Sequence, residues 1–233
     1  LAGAVKKVEQ QNAIIRNAIK KHGGKEALHE GRGIIGSFIS AENAVSCGLA
    51  IHEQMNWMHD ENFSVRIHAG EPVAQTDELF GDTLQLLQGL VMLKRKEPVV
   101  ITDAVKELIA KDMQDKRTAQ LLALTLPDEQ FLISLFDVLN KNYADNECSA
   151  DNYAQILTMS KSQMYRRVTA LTGYSPNDLV KKYRLEQAKE LLRKKKHNVS
   201  EVALETGFTS ASYFTKCFKT KFGLLPLAYQ QLV

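Results

Sequence analysis

SKSQMYRRVTALTGYSP at residues 160–176 and SASYFTKCFKTKFGLLP at residues 210–226 are two versions of one pattern, fifty residues apart. Ser160, Ser162, Met164, Arg166, Val168, Gly173 and Pro176 line up with Ser210, Ser212, Phe214, Lys216, Phe218, Gly223 and Pro226. Each version opens on a serine of the helix-capping kind and places apolar residues every three to four positions. Basic residues fill the gaps, and a glycine followed by a proline ends the run. A short helical stretch precedes each version, so each reads as a helix-turn-helix unit.

The charge is distributed to match. Residues 152–233 hold 14 Lys and Arg against 5 Asp and Glu, a balance of +9. Residues 1–151 hold 16 against 22, a balance of −6, and the two parts add to the net +3. A cationic segment joined to an acidic one fits a polyanion-binding module attached to something else, and the paired helical units point to double-stranded DNA. A solvated basic face is the plain alternative on charge alone. At 233 residues, 44% hydrophobic and 24% charged, the chain has a globular composition and room for two domains. No apolar run approaches the roughly 20 residues of a membrane helix, and no signal-peptide pattern opens the chain. The expected location is therefore the cytoplasm, with no membrane partner. Cys47, Cys148 and Cys217 are scattered and read as inert thiols in a reducing compartment. The chain begins at Leu1 inside a predicted helix, which reads as a fragment.

Beyond Pro127 the periodicity is helical throughout, with helices expected near 129–143, 151–158, 161–172, 177–195, 199–206, 211–222 and 227–231. Pro127 is read as a break, and the domain boundary is placed there, giving domains 1–126 and 127–233. The motifs are specific: Met159–Arg166, then LTGYSP, YRLEQAKELL at Tyr183–Leu192, VSEVALETGF at Val199–Phe208, SYFTKCFKTKFG at Ser212–Gly223, and Pro226. In these motifs the segment from about Asp128 to Val233 resembles the DNA-binding domain of AraC-family transcriptional regulators. The resemblance implies two helix-turn-helix units joined by one long helix, here Pro176 to Arg193.

An α-helix fits the major groove, where Arg can pair with guanine and small or hydroxylated groups meet other base edges. With Met164 and Val168, or Phe214 and Phe218, turned inward, the candidate DNA-binding residues are Ser162, Gln163, Tyr165, Arg166 and Arg167 in the first unit. In the second they are Ala211, Ser212, Tyr213, Thr215, Lys216 and Lys219. Lys161, Arg167, Lys181, Lys182 and Lys219 suit phosphate contacts. The Arg193–Lys196 tract suits helix-end capping and DNA contact equally. The turn of the second unit holds Gly207 where the first has Thr158, a departure expected to stiffen or distort that turn. After the final Pro, Gln230 follows Tyr229 where the family commonly has Arg, which is expected to remove a backbone contact.

The first half alternates helical and strand-like stretches: Val5–Lys21, Gly33–Ile39, Ala41–His59, Phe63–Gly70, 83–94, Val99–Thr102 and Asp103–Lys111. HGGKEALHEGRGIIGSF at His22–Phe38, SAENAVSCGLAI at Ser40–Ile51, FSVRIHAGEPV at Phe63–Val73 and LFGDTLQLLQGL at Leu79–Leu90 resemble class III adenylate/guanylate cyclase domains. That resemblance implies an α+β, ferredoxin-like fold, N-terminally incomplete, followed by the all-α domain. It departs at the positions that carry the chemistry. Arg32 stands where a metal-binding aspartate belongs, and Gln85 and Gly89 replace the transition-state Asn and Arg, so catalysis is not expected. His22, His29, His52, His59 and His68 match no ligand spacing, so no metal and no cofactor is expected.

The combined expectation is a sequence-specific transcriptional regulator that is not an enzyme. Its cyclase-like domain would sense an effector of unknown chemistry or form a homodimer. The competing expectations are a nucleotide cyclase completed by a partner chain, and a basic module engaging protein or RNA.

Overall fold

The computed structural model describes residues 2–30, 33–57, 63–70, 87, 89–90, 92–93, 99–110 and 120–232. It divides into two compact units, Leu1–Val91 with Arg95–Gln130, and Met92–Lys94 with Phe131–Val233.

In the first unit, α1 (Ala2–Lys21) leads into β1 (Lys25–Glu30), β2 (Gly33–Ser37), α2 (Ala41–Trp57), β3 (Val65–Ile67), β4 (Val99–Ile101), α3 (Asp103–Leu108) and β5 (Leu121–Ala123). Ala18 and Ile19 of α1 pack on Cys47, Ile51 and Met55 of α2, residues at helical spacing. β4 is apolar throughout and wholly buried, as expected of the central strand of a parallel sheet covered on both faces. It runs parallel to β3 on one side and β5 on the other. Val45 and Leu49 of α2 and Val105 of α3 pack against it.

Two strands go beyond the expected elements. Lys25–Glu30, where no element was expected, pairs antiparallel with β2; the ladder overrides its charged, strand-poor composition. β5 lies in the stretch of weak pattern before Pro127 and owes its strand to the pairing with β4. The expectation was an α+β, ferredoxin-like fold; the described strands form a two-stranded hairpin and a three-stranded parallel sheet. The expected helix over 83–94 lies largely outside the described residues, as do Arg32, His59 and Gln85. Gly89 is described and buried.

Pro127 does not break structure either. It occupies the first turn of α4 (Leu126–Asn142), where a missing N–H costs nothing. Then follow α5 (Ala150–Ile156), α6 (Lys161–Thr172), α7 (Pro176–Lys194), α8 (Val199–Glu205), α9 (Ala211–Phe222) and α10 (Pro226–Leu232). Serine or asparagine precedes each of α5 to α9, with side-chain caps at Ser160, Ser175, Asn198 and Ser210. α6 and α9 both end on a left-handed glycine, Gly173 and Gly223. Leu185, Ala188 and Leu192 of α7 share a core with Val202, Ala203, Phe208, Phe214 and Phe218. With 19 residues, α7 is about 28 Å long, a rigid strut between the two units.

Candidate nucleic-acid interface

The two helix-turn-helix units are α5–α6 and α8–α9. Their turns use the same backbone hydrogen bonds. Thr158 N–H donates to Gln155 O and Met159 N–H to Ala154 O; Gly207 N–H donates to Leu204 O and Phe208 N–H to Ala203 O. These positions lie 49 residues apart, while the caps Ser160 and Ser210 lie 50 apart, so the second turn is one residue longer. Thr158 adopts φ 53° beside 77° for Gly207. The first turn therefore keeps its shape with a β-branched residue held in the left-handed region, a strained arrangement.

Met164 and Val168 of α6, and Phe214 and Phe218 of α9, are buried, which turns the other faces outward. On α6, Ser162, Gln163, Tyr165 and Arg166 are exposed. Gln163 is occupied at its oxygen, which accepts from Ser160 N–H at 3.0 Å and closes a capping box. Arg166 lies along its own helix, Nε donating to Ser162 O at 3.4 Å, and is free to extend. Arg167 is half-buried, its guanidinium stacked 4.3 Å from the Phe131 ring, so one face is covered.

On α9, Ser212, Tyr213, Lys216 and Lys219 are exposed, and Ala211 and Thr215 half-buried. Tyr213 leans on Phe208, ring centroids 6.3 Å apart. Its hydrogen bond with the Cys217 thiol holds the phenol above its ordinary pKa, so it stays neutral. Tyr165 and Tyr213 expose 55% and 51% of their surface, yet they stand at the fifth position of one helix and the third of the other. The two outward faces are chemically unequal.

The expected phosphate-binding lysines differ in freedom. Lys161 pairs with Asp151 at 2.5 Å and Lys181 with Asp178 at 2.8 Å. The second pair, with the Ser175 hydroxyl, holds the Asp178 carboxyl below its usual range. Lys182 donates to Tyr174 Oη at 3.0 Å and lies over that ring. Lys194, Lys195 and Lys196 are exposed, and Lys195 itself takes the left-handed cap of α7 at φ 54°. Gln230 donates to His197 O at 2.8 Å, a bond that ties α10 to the loop after α7.

Sequence reading passed over Arg184, whose side chain bonds three backbone carbonyls. A lone arginine among the apolar positions of YRLEQAKELL was the available signal. All three cysteines are free thiols; burial pushes Cys47 up to about 11. Among the described residues, no group of three His, Cys, Asp or Glu side chains could hold a metal ion. No helix there is long and apolar enough to cross a membrane.

A family model described as a helix-turn-helix domain matches residues 153–232. The HTH-type transcriptional regulator MtrA of Neisseria gonorrhoeae is 31% identical over 123 residues, 53% of this chain and 36% of that protein. Histidine kinase P4 of Formosa agariphila is 32% identical over 113 residues, 48% of this chain but 8% of that protein. Among solved structures, a DNA-binding transcriptional dual regulator from Escherichia coli K-12 is 27% identical, with TM-score 0.40, covering 42% of this chain and 87% of that one. The chain thus spans about a third or less of the length of these two curated relatives. The C-terminal region of this chain, matched over residues 153–232, is a helix-turn-helix domain, similar to those of DNA-binding regulators of the AraC type.

Proposed function

We propose that this chain is a sequence-specific DNA-binding transcriptional regulator whose α6 and α9 enter successive major grooves. The observation that carries the reading is the pair of helix-turn-helix units with matching turn hydrogen bonds and outward polar faces, set on the strut α7. Ser162, Tyr165 and Arg166 face the bases from the first unit, and Ala211, Ser212, Tyr213, Thr215 and Lys216 from the second. Arg166 is the residue with the bidentate geometry for guanine. Gln163 and Arg167, each engaged within the protein, contribute to position more than to readout; Lys219 contacts phosphate. Selection of bound duplexes from a random pool tests the reading. An enriched bipartite motif with halves about one helical turn, roughly 34 Å, apart is expected; the absence of any enriched motif would refute it.

The N-terminal unit acts, in this reading, as a cyclase-like sensor or dimerisation module of a cytoplasmic protein. Arg32, Gln85 and Gly89 support a role without catalysis, because they remove a metal ligand and the phosphate-stabilising groups. The purified chain incubated with ATP or GTP and manganese should form no cyclic nucleotide; turnover would favour the cyclase reading.

A further inference from the structure

Arg184 sits near the middle of α7. Its Nε donates to Tyr143 O at 2.8 Å, and an Nη donates to Asp145 O at 2.7 Å and to Cys148 O at 3.5 Å. These carbonyls belong to the loop that leads into α5, the first helix of the first unit. The turn of the second unit lies close beside the same guanidinium. A Cβ built on Gly207 would lie 2.8 Å from Arg184 Nε and 3.0 Å from Cζ, and would overlap Tyr143 O. One side chain on the strut therefore meets the entry of one unit and the turn of the other. A guanidinium suits this place because its planar fork offers several donors in fixed directions, whereas an ammonium is a point charge.

We propose that Arg184 is a positioning residue that sets the mutual orientation of α6 and α9, and with it the number of base pairs separating the two DNA half-sites. The proposal rests on the DNA-reading function above. Linked binding elements gain from each other only when both can engage at once. Each added base pair moves the second half-site by about 3.4 Å and about 35° around the duplex. A rigid junction makes such a step costly, and a loosened junction tolerates it.

The test uses the full chain, its Arg184→Lys and Arg184→Gln variants, and the bipartite duplex selected by the unaltered protein. Spacers are lengthened and shortened one base pair at a time, and each half-site is also offered alone. Unaltered protein should prefer one spacing by about tenfold over its neighbours. Arg184→Lys should lose about tenfold at that spacing, flatten the profile to within about threefold, and bind isolated half-sites unchanged. Arg184→Gln should do the same more strongly; if it gives no cooperative melt, Arg184→Lys decides. A uniform loss on every duplex, half-sites included, with the spacing preference intact, would show a purely structural role and overturn the proposal. So would a profile equal to that of the unaltered protein. If the unaltered protein selects no bipartite site at all, the DNA reading itself fails, a result recognisable before any variant is made.

Discussion

Replacing Gly207 by alanine probes the tightest point of the helical unit. Gly207 sits at φ 77°, where a Cβ costs roughly 1–2 kcal/mol against the following carbonyl. The new methyl would also overlap Tyr143 O and crowd Arg184 Nε at 2.8 Å, both held by the Arg184–Tyr143 hydrogen bond. Inserting a methyl into such packing costs about 1–3 kcal/mol, so the total is about 2–5 kcal/mol. At a urea slope of about 2 kcal/mol per M, the denaturation midpoint should fall by about 1–2.5 M. Far-ultraviolet circular dichroism is the appropriate readout because the unit is helical. Thr158→Gly at the equivalent turn is the control of opposite sign. It relieves a left-handed β-branched residue and returns part of that gain as chain flexibility. It also gives up the Thr158 Oγ1–Leu157 O bond at 2.8 Å, for a net gain of no more than about 1 kcal/mol. A Gly207→Ala chain as stable as the unaltered one would refute the close approach of turn, loop and strut.

Arg166→Ala should weaken specific binding by about 1–3 kcal/mol and relax preference at one base pair; equal loss on all sequences in a binding titration would reassign it to phosphate. Arg167→Ala, which removes the stack on Phe131, should lower the melting temperature while leaving sequence preference unchanged, and a changed selected motif would contradict that placement. Lys221 is largely buried between Glu186 at 2.7 Å and Lys182 O at 3.2 Å, and burial lowers its pKa to about 8. The folded form then binds fewer protons than the unfolded one above that pH, so stability should rise from pH 8 toward 10. Comparing urea midpoints with Lys221→Met across that range checks it: an identical pH slope in the two proteins would refute the assignment.

The sequence carried the helical unit well because its signals are local. Ser160 and Ser210 cap the helices they precede, and Gly173 and Gly223 end them. Met164, Val168, Phe214 and Phe218 recur at the period of the face they bury. The N-terminal unit was less legible. β1 and β5 exist through partners elsewhere in the chain, and Pro127 reads as a break until its place in the first turn of α4 is known.

The candidate site divides along the same line. By itself the sequence determined that there are two basic helix-turn-helix units, which face of each second helix turns outward, and that these faces are unequal, since caps, stops and periodicity act within a few residues. Only the tertiary structure decided which polar groups remain free. Gln163 is spent on a cap and Arg167 on Phe131, while the fifty-residue repeat slips to forty-nine before each turn. It also placed Arg184 against both units. The Arg167 and Arg184 contacts depend on groups brought together from 36 to 41 residues away, and a side chain's neighbours at that range are set by packing, not by its own stretch of chain.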